Sequence, residues 1–441
     1  MPQVRTRIRR PAPVSAALGQ IGDRIRQART DAGLSQAQLG APHFTRAYVS
    51  AIELGKVRPA MKSLEFMATK LGKPASYFLD DADAVRRRLE YSAEVARVGQ
   101  LISQGKASEA IDVIDSLLQR TATPRERATL QRSLGRALIQ ARRPPEAVAI
   151  LNEALRFFKA HDDIDEIART RSQLGTALNE MRSYAEGQQE LEGALAYMSK
   201  SDVKDPLLKI HTLYNLGVSF YMRGDYRAAA QQFDRAAREG ADVGDLRWQA
   251  GLFAGMGMSY SKLGDFEAAV SYLRKSEALF EAINNKFRAV ESRLRAALSL
   301  KSLGQRTKAD ELLTSALAEA RVSGSNELAI EIASYQAVLW AEDGKTGEAV
   351  ALATQARDDA VHGDDPLLRL TTQMNLGKVL RRTEPTRAAD ILREAAAGAA
   401  RAHGLAYSEL YSELSEILAE NGLAEEALKY SRLAYKAERN K

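Results

Sequence analysis

The feature that most constrains this chain is a pattern of about 40 residues that recurs from residue 95 to the end. Each copy has a small residue, a large apolar residue three positions later, a turn, and then an alanine that opens a second apolar segment. Valine replaces the small residue in the first copy. The small position lies at Val98, Gly135, Gly175, Gly217, Gly257, Ala297, Ala337, Gly377 and Ser415, so that successive copies are 37 to 42 residues apart. An internal period of this length predicts a solenoid, in which each unit buries its apolar face only against its neighbours.

The residues on either side of each turn indicate that a unit is a pair of helices. The apolar positions follow helical spacing, and the turns carry pairs such as Gly224-Asp225 and Gly264-Asp265. The prolines beyond residue 90 fall only at turns or between units: Pro124, Pro144, Pro145, Pro206, Pro366 and Pro385. Because a proline inside a helix costs roughly 3 kcal/mol, this placement supports the assignment.

The clearest copies resemble the tetratricopeptide repeat. The residues that carry the resemblance are Gly217, Phe220, Ala229, Phe233 and Ala236, which reproduce its small–aromatic–Ala–aromatic–Ala spacing. The resemblance implies an all-α fold in which residues 95–441 form a right-handed α-solenoid of about nine helical hairpins. It also implies that the first helix of each pair lines a concave face.

The basic residues are concentrated in the first fifth of the chain. Residues 1–90 carry 16 Lys and Arg against 8 Asp and Glu, whereas the other 351 residues carry 47 against 49. A basic segment on a near-neutral body indicates a nucleic-acid-binding head. Residues 1–17, with Arg5, Arg7, Arg9 and Arg10, are predicted to be a disordered arm, which either lies along DNA or is a solvated tail.

Residues 18–80 predict five short helices, and residues 81–94 predict a helix that connects them to the repeats. Ser35-x-x-Gln38 is a capping box, and Thr45 is a suitable N-cap for a helix over 45–53. Gly33 and Gly55 end the helices that precede them. The spacing of Val49 and Ile52 makes them the buried positions of helix 45–53.

This head resembles the Cro and phage-repressor (XRE-type) helix-turn-helix family. The resemblance rests on Ile21-Gly22-x-x-Ile25-Arg26, Gly33-Leu34-Ser35-Gln36-x-x-Leu39, Val49-Ser50-x-Ile52-Glu53-x-Gly55-Lys56, Pro59, Leu64, Ala68 and Leu71-Gly72. The turn between Leu39 and Thr45 is one residue shorter than in the family. The resemblance implies that helix 45–53 enters the major groove of double-stranded DNA, N-terminus first.

The same resemblance assigns roles to individual residues of the head. Arg46, Ala47 and Ser50 would face base edges, and an arginine can pair bidentately with guanine. Gln36, Thr45 and Tyr48 would contact phosphates, with a core position as the alternative for Tyr48. Lys56 and Arg58 would add charge near the DNA backbone. Arg29 and Glu53 would form a buried ion pair.

The repeat resemblance also predicts which residues face the groove on the concave side of the solenoid. They stand three positions before, one position after, and four or five positions after the small residue of each repeat. The resulting peptide-binding candidates, with two asparagines added as partners for a peptide backbone, are Arg132, Arg136, Asn179, Tyr214, Asn215, Val218, Tyr221, Met222, Met258, Lys262, Leu298, Lys301, Met374, Asn375, Lys378 and Arg381. They predict a groove with an apolar, Met-containing middle and basic residues towards both sides. Packing between repeats is the alternative for Tyr214 and Val218, and a role within the repeats is the alternative for Asn215 and Asn375.

A repressor-like head followed by about nine such repeats resembles the peptide-responsive quorum-sensing regulators called the RRNPP group. That resemblance implies a transcriptional regulator that is a homodimer, reads a two-fold operator and binds a regulatory peptide or protein in its repeats. Two alternatives stay open. The repeats could be only a dimerisation or partner surface, or the chain could be a protein-interaction scaffold that does not bind DNA.

Other classes of protein lack the residues they need. The chain has no Cys, and its five His are scattered, so neither a metal site nor a cofactor is predicted. Gly344-Lys345-Thr346 lacks the upstream glycine of a phosphate loop, and Gly255-x-Gly257 lacks a third glycine, so catalysis is not predicted. No signal peptide or membrane span is recognisable, which predicts a cytoplasmic protein without a membrane partner.

Overall fold

The computed structural model describes residues 14–79, 82–120, 123–200, 205–241, 244–399 and 407–439. Within these ranges the regular secondary structure is entirely helical, which confirms the predicted all-α class. The chain divides into two compact units, residues 1–120 and residues 121–441. Among the described residues, no helix is both long enough and apolar enough to cross a membrane.

The first unit contains seven helices in its described part. They are α1 (Val14–Asp31), α2 (Gln36–Gly40), α3 (Arg46–Glu53), α4 (Met61–Lys70), α5 (Ser76–Leu79), α6 (Ala82–Ser103) and α7 (Ala107–Arg120). Helix α1 begins at Val14, so residues 14–17 are helical and not the disordered segment predicted; residues 1–13 lie outside the described part. Helix α6 runs from the predicted connector into the first repeat without a break.

The local signals that set α1 to α3 act as predicted. Ser35 caps α2 through a complete capping box with Gln38, and the Thr45 hydroxyl accepts a hydrogen bond from the Tyr48 backbone N–H. Gly33 and Gly55 follow α1 and α3 with φ of +67°, a conformation that glycine adopts at little cost.

The core of the head is apolar and shared by all of its short helices. Its fully buried members are Ile25, Leu39, Val49, Ile52, Leu64, Met67 and Phe78. Gly22 of α1 packs against the end of α3, where an added Cβ would lie 2.3 Å from the Ile52 carbonyl oxygen. The backbones of α1 and α3 cannot move aside for a side chain at that distance. The glycine at position 22 therefore allows α1 and α3 to pack this closely.

The second unit is a series of antiparallel helical pairs. Its helices are α8 (Pro124–Gln140), α9 (Pro144–Ala160), α10 (Ile164–Glu180), α11 (Tyr184–Met198), α12 (Pro206–Met222), α13 (Tyr226–Glu239), α14 (Leu246–Leu263), α15 (Phe266–Ala282), α16 (Lys286–Ser302), α17 (Arg306–Val322), α18 (Asn326–Glu342), α19 (Thr346–Val361), α20 (Pro366–Leu380), α21 (Pro385–Ala399), α22 (Tyr407–Glu420) and α23 (Ala424–Arg439). With α6 and α7, the described helices form nine hairpins, the number predicted.

Where the small position of a repeat is a glycine, the two helices of that repeat approach closely. A Cβ added to Gly135 would lie 2.4 Å from the Leu151 side chain, and one added to Gly217 would lie 2.6 Å from the Phe233 ring. Gly257 is another such position, since its added Cβ would lie 2.5 Å from the Leu273 side chain, whereas Gly255 faces the preceding repeat, where its added Cβ would lie 2.8 Å from the Phe233 ring. The Gly-x-Gly pair is therefore a packing feature of the solenoid.

Candidate functional site

Helix α3 presents one polar face to solvent and one apolar face to the head. Val49 and Ile52 are buried, whereas Arg46 and Ala47 at the N-terminus are exposed and Ser50 is half-buried. The hydroxyl of Thr45 caps this end of the helix. The exposed residues at the N-terminus of α3 are therefore accessible to a binding partner.

Two of the predicted phosphate contacts have partners inside the head. The Gln36 amide donates a hydrogen bond to Glu53 Oε2 at 2.8 Å. The Tyr48 hydroxyl donates to Ser63 Oγ at 3.3 Å, and its ring stacks on Phe44 with the centroids 5.3 Å apart. The structure therefore favours the packing alternative for Tyr48. Lys56 and Arg58, in the loop after α3, are exposed.

The predicted ion pair of the head is present, with Glu53 buried and Arg29 half-buried. Arg29 donates from Nε to Glu53 Oε1 at 2.6 Å and from Nη2 to Oε2 at 3.0 Å, and a third donor reaches the Leu34 carbonyl at 2.8 Å. Burial alone would raise the pKa of Glu53, but hydrogen bonds from Arg29 and Gln36 hold that pKa below its ordinary value. The pair joins α1 to the last turn of α3 and so orients the exposed N-terminus of α3.

The second unit carries three adjoining cavities, which together we call the groove. The N-terminal cavity, of about 320 Å³, is lined by Arg132, Arg136, Ile139, Arg169, Ser172, Gln173, Thr176, Asp205, Leu207, Leu208 and His211. The central cavity, of about 790 Å³, is lined by His211, Tyr214, Gly244, Asp245, Leu246, Arg247, Trp248, Gly251, Ala254, Met258, Leu273, Phe280, Ile283, Asn285, Arg288, Glu291, Ser292 and Arg295.

The third cavity, the C-terminal one, completes the groove. It measures about 420 Å³ and is lined by Phe287, Glu291, Arg295, Glu327, Leu328, Glu331, Tyr335, Asp365, Leu367, Leu368, Thr371, Met374, Asn375, Lys378 and Glu409. His211 belongs to both the N-terminal and the central cavity, and Glu291 and Arg295 belong to both the central and the C-terminal cavity. The groove is therefore continuous along the first helices of successive repeats.

The structure brings seven of the predicted peptide-binding residues to this groove. Arg132 and Arg136 line the N-terminal cavity, Tyr214 and Met258 the central one, and Met374, Asn375 and Lys378 the C-terminal one. The other nine predicted residues do not line these cavities. They are Asn179, Asn215, Val218, Tyr221, Met222, Lys262, Leu298, Lys301 and Arg381.

The asparagine amides are used inside the repeats, and two of them join neighbouring repeats. Asn179 donates to the backbone oxygen of Asn215 at 2.9 Å and accepts from Ser219 Oγ at 2.8 Å, which ties α10 to α12. Asn375 donates to Ser334 Oγ at 2.9 Å, and Asn215 donates to the His211 carbonyl at 2.9 Å. A peptide backbone would have to compete with these internal bonds, so the alternative of a role within the repeats is favoured.

Two of the cations predicted for the basic sides of the groove are paired with acids of the protein, whereas Lys378 lines the C-terminal cavity. Arg381 donates to Glu413, Glu416 and Glu420 at 3.2, 3.0 and 2.6 Å, respectively. Lys301 lies 2.7 Å from Glu342.

Four further predicted residues take part in packing or in an ion pair. Lys262 of α14 lies 3.1 Å from Glu409 of α22, which joins two first helices 147 residues apart in the sequence. Val218 and Tyr221 pack on the cluster around Phe233, and Leu298 packs on the cluster of the next repeats.

The groove also contains residues that the spacing rule did not select. His211 packs against Trp248 with the ring centroids 3.8 Å apart and the ring planes tilted by 49°. Arg288 pairs with Glu291 at 2.7 Å, and Arg295 pairs with a glutamate of α18 at 3.0 Å. These residues stand nine, six or two positions before the small residue and share one face of their helices. Helical periodicity carried back from the groove-facing position one after the small residue would have found them.

His211 differs electrostatically from an exposed histidine. Burial first, and then the nearby Arg136 charge, lower the pKa of His211 to about 4. Because the unfolded chain protonates near the ordinary value of 6.5, acidification from pH 6.5 to pH 4 favours unfolding. Above pH 6.5 the residue is neutral in both states and contributes no pH dependence.

We expect the second unit to lose stability between pH 6.5 and pH 4, by up to about 3 kcal/mol from this residue. His211→Gln keeps a polar side chain that cannot titrate, so the loss over that pH range becomes smaller. Thermal unfolding followed by Trp fluorescence at several pH values measures the difference. His161→Gln, in an exposed histidine, is the matched control. An identical pH dependence in wild type and His211→Gln would contradict the assignment.

Comparison with known proteins identifies the repeats. Tetratricopeptide repeat models match residues 101–162, 166–238 and 250–282. The chain therefore contains tetratricopeptide repeats, and its fold is the all-α tetratricopeptide solenoid that the sequence predicted. None of the curated proteins matches the chain in sequence.

Solved structures share this fold at low sequence identity. The apo form of RapI has a TM-score of 0.62 at 14% identity, over 79% of this chain and 97% of RapI. The apo quorum sensor NprR from B. thuringiensis has a TM-score of 0.60 at 13% identity, over 79% of this chain and 98% of NprR. NprR with its cognate peptide NprX has a TM-score of 0.51 at 15% identity, over 72% and 89% of the two chains.

Proposed function

We propose that this protein is a cytoplasmic, sequence-specific DNA-binding transcriptional regulator whose repeat domain dimerises and binds a regulatory peptide. The observation that carries the DNA-binding part is the arrangement of α3. Its apolar face is buried and its capped N-terminus exposes Arg46 and Ala47, with Lys56 and Arg58 exposed in the loop that follows. A helix held in this way can insert its first turn into a major groove.

The groove supports the second part of the proposal. Its central cavity, of about 790 Å³, has the size of a ligand site and combines aromatic walls with charged groups. NprR, which has the same fold, was solved with its cognate peptide. By this analogy a short peptide is the ligand class proposed for this chain.

The proposed mechanism links the two parts through a dimer. Two heads would dock in successive major grooves, roughly 34 Å apart, on an operator with two-fold symmetry. A peptide in the groove changes the population of DNA-binding dimers only if it binds one arrangement of the repeats more tightly than another. The difference between the peptide's affinities for the two arrangements sets the largest change in the population of DNA-binding dimers that the peptide can cause.

We expect Arg46→Ala to weaken binding to the preferred operator by about 5- to 150-fold, which corresponds to roughly 1–3 kcal/mol for a bidentate base contact. The operator is first selected from random 20-base-pair duplexes with the full chain, and affinities are then measured at two salt concentrations. Arg156→Ala, an exposed arginine on α9, is the control. Unchanged affinity and base preference in Arg46→Ala would show that α3 does not read bases, and binding insensitive to salt would favour the scaffold alternative.

A further inference from the structure

The charged side chains of the groove are not evenly distributed. The N-terminal cavity is lined by three arginines and one aspartate, and the central cavity by three arginines and two acids. The C-terminal cavity is lined by two cations and five acids. The sign of the charge therefore changes along the groove from positive, beside α8 and α10, to negative, beside α18 and α20.

The positive end contains a cation that the protein itself does not neutralise. Arg132 pairs with Glu166 at 2.6 Å, and Arg169 pairs with Asp205 at 2.7 Å. Arg136 is exposed to the groove and has no ion pair among the described residues. Partial desolvation of its guanidinium by the surrounding groove walls, and then the Arg132 charge, lower the pKa of Arg136. An anionic group of a ligand would relieve the repulsion between these arginines.

A second observation at the positive end also indicates a ligand. The Oε1 atom of Gln173, which lines the N-terminal cavity, is buried and accepts no hydrogen bond from the described residues. A buried acceptor without a donor is costly. A peptide N–H placed in this cavity would supply the missing donor.

The negative end contains an acid that the described part of the protein does not neutralise. Glu327 is exposed and has no ion pair among the described residues, whereas Glu331 pairs with Arg295 and Glu409 pairs with Lys262. Between the two ends stand the rings of Tyr214 and Trp248, with centroids 5.5 Å apart. An aromatic or apolar side chain would pack on these rings.

From this order of charges we infer that the groove binds a dipolar linear peptide in one direction. Its acidic side chain or terminal carboxylate lies against Arg136, an apolar residue lies against Trp248, and its basic residues or amino terminus lie against Glu327 and Glu331. Reversing the peptide would place like charges together at both ends, which disfavours the reversed order. This inference rests on the proposed peptide-binding function and adds the polarity of the ligand.

The test uses the full chain and a synthetic library of random decapeptides with free termini. Peptides retained by the protein are sequenced by mass spectrometry, and the best is resynthesised in forward and reversed order, which keeps its composition. We expect basic residues to be enriched in the amino-terminal half and acidic residues in the carboxyl-terminal half. The forward peptide is expected to bind at least about tenfold more tightly than the reversed one.

Two variants then locate the binding site. Arg136→Glu and Glu327→Lys change exposed residues at opposite ends of the groove, so both variants are expected to fold, and each is expected to weaken the forward peptide about tenfold or more. Arg156→Glu and Glu348→Lys make the same changes on exposed second-helix positions and should leave binding unchanged.

The possible outcomes separate the inference from the function on which it rests. Retained peptides without a charge order, or forward binding that survives both groove variants, would overturn the inference while peptide binding itself stands. A library from which nothing is retained would contradict the proposed peptide-binding function as well, and would leave the DNA-binding proposal to its own test.

Discussion

Glu53→Ala is expected to abolish DNA binding by unfolding the head while the repeats stay folded. The substitution leaves the half-buried Arg29 guanidinium without its carboxylate and also removes the acceptor of Gln36. Breaking one side of a buried ion pair costs about 3–5 kcal/mol, which is a large share of the stability of a domain of this size. Hydrogen exchange over residues 21–71, together with operator affinity, measures the effect.

Glu65→Ala is the matched control, because Glu65 is an exposed acid of α4 in the same head. Both tryptophans, Trp248 and Trp340, lie in the second unit, so their fluorescence reports whether the repeats remain folded. If Glu53→Ala exchanges as slowly as wild type, the ion pair does not hold α3 in place. The lowered pKa of Glu53 also means that the pair's contribution to stability is lost as the pH falls through that pKa.

Phe233→Ala is expected to destabilise the second unit by about 3–5 kcal/mol. The Phe233 ring is 2% exposed and packs with Ile210, Leu213, Leu252 and Met256. Gly217 of its own repeat and Gly255 of the next both approach this ring so closely that an added Cβ would lie within 2.9 Å of it. The loss of the ring therefore leaves a cavity between two repeats, which two backbones cannot close without moving.

Chemical denaturation followed by Trp248 fluorescence measures this loss, since Trp248 packs on the same cluster. Phe287→Ala is the matched control, because Phe287 is 48% exposed and its truncation removes little buried surface. If Phe233→Ala lowers the free energy of unfolding no more than Phe287→Ala does, the repeats around residue 233 are not closely packed. Operator binding by the head is a further readout of whether the two units are coupled.

The sequence predicted the repeats well because their signals are local. The small positions, the prolines and the turn residues each constrain a segment shorter than one hairpin, so the nine hairpins could be counted in advance. The same holds for the head, where Ser35 and Thr45 cap their helices as their spacing predicted. The predicted boundary between the connecting helix and the first repeat at residue 95 is wrong, because α6 continues through it. No proline or glycine at that residue marks a change.

The groove was predicted less well because its lining depends on which helix each side chain meets. The spacing rule found Arg136, Tyr214 and Met374. It could not show that the Asn179 amide is hydrogen-bonded to the next repeat, or that three glutamates neutralise Arg381. Each of these partners lies 32 or more residues away. Contacts at that distance depend on how the repeats stack, which no local pattern specifies.

The sequence by itself thus determined the helices, their pairing into hairpins and the exposed first turn of α3, since hydrophobic periodicity, caps and turn residues act within a few residues of one another. Only the tertiary structure decided which polar groups remain free in the groove. The reversal of charge from Arg136 to Glu327 arises because stacking brings helices from successive repeats side by side, where some charges are paired and others are left for a ligand.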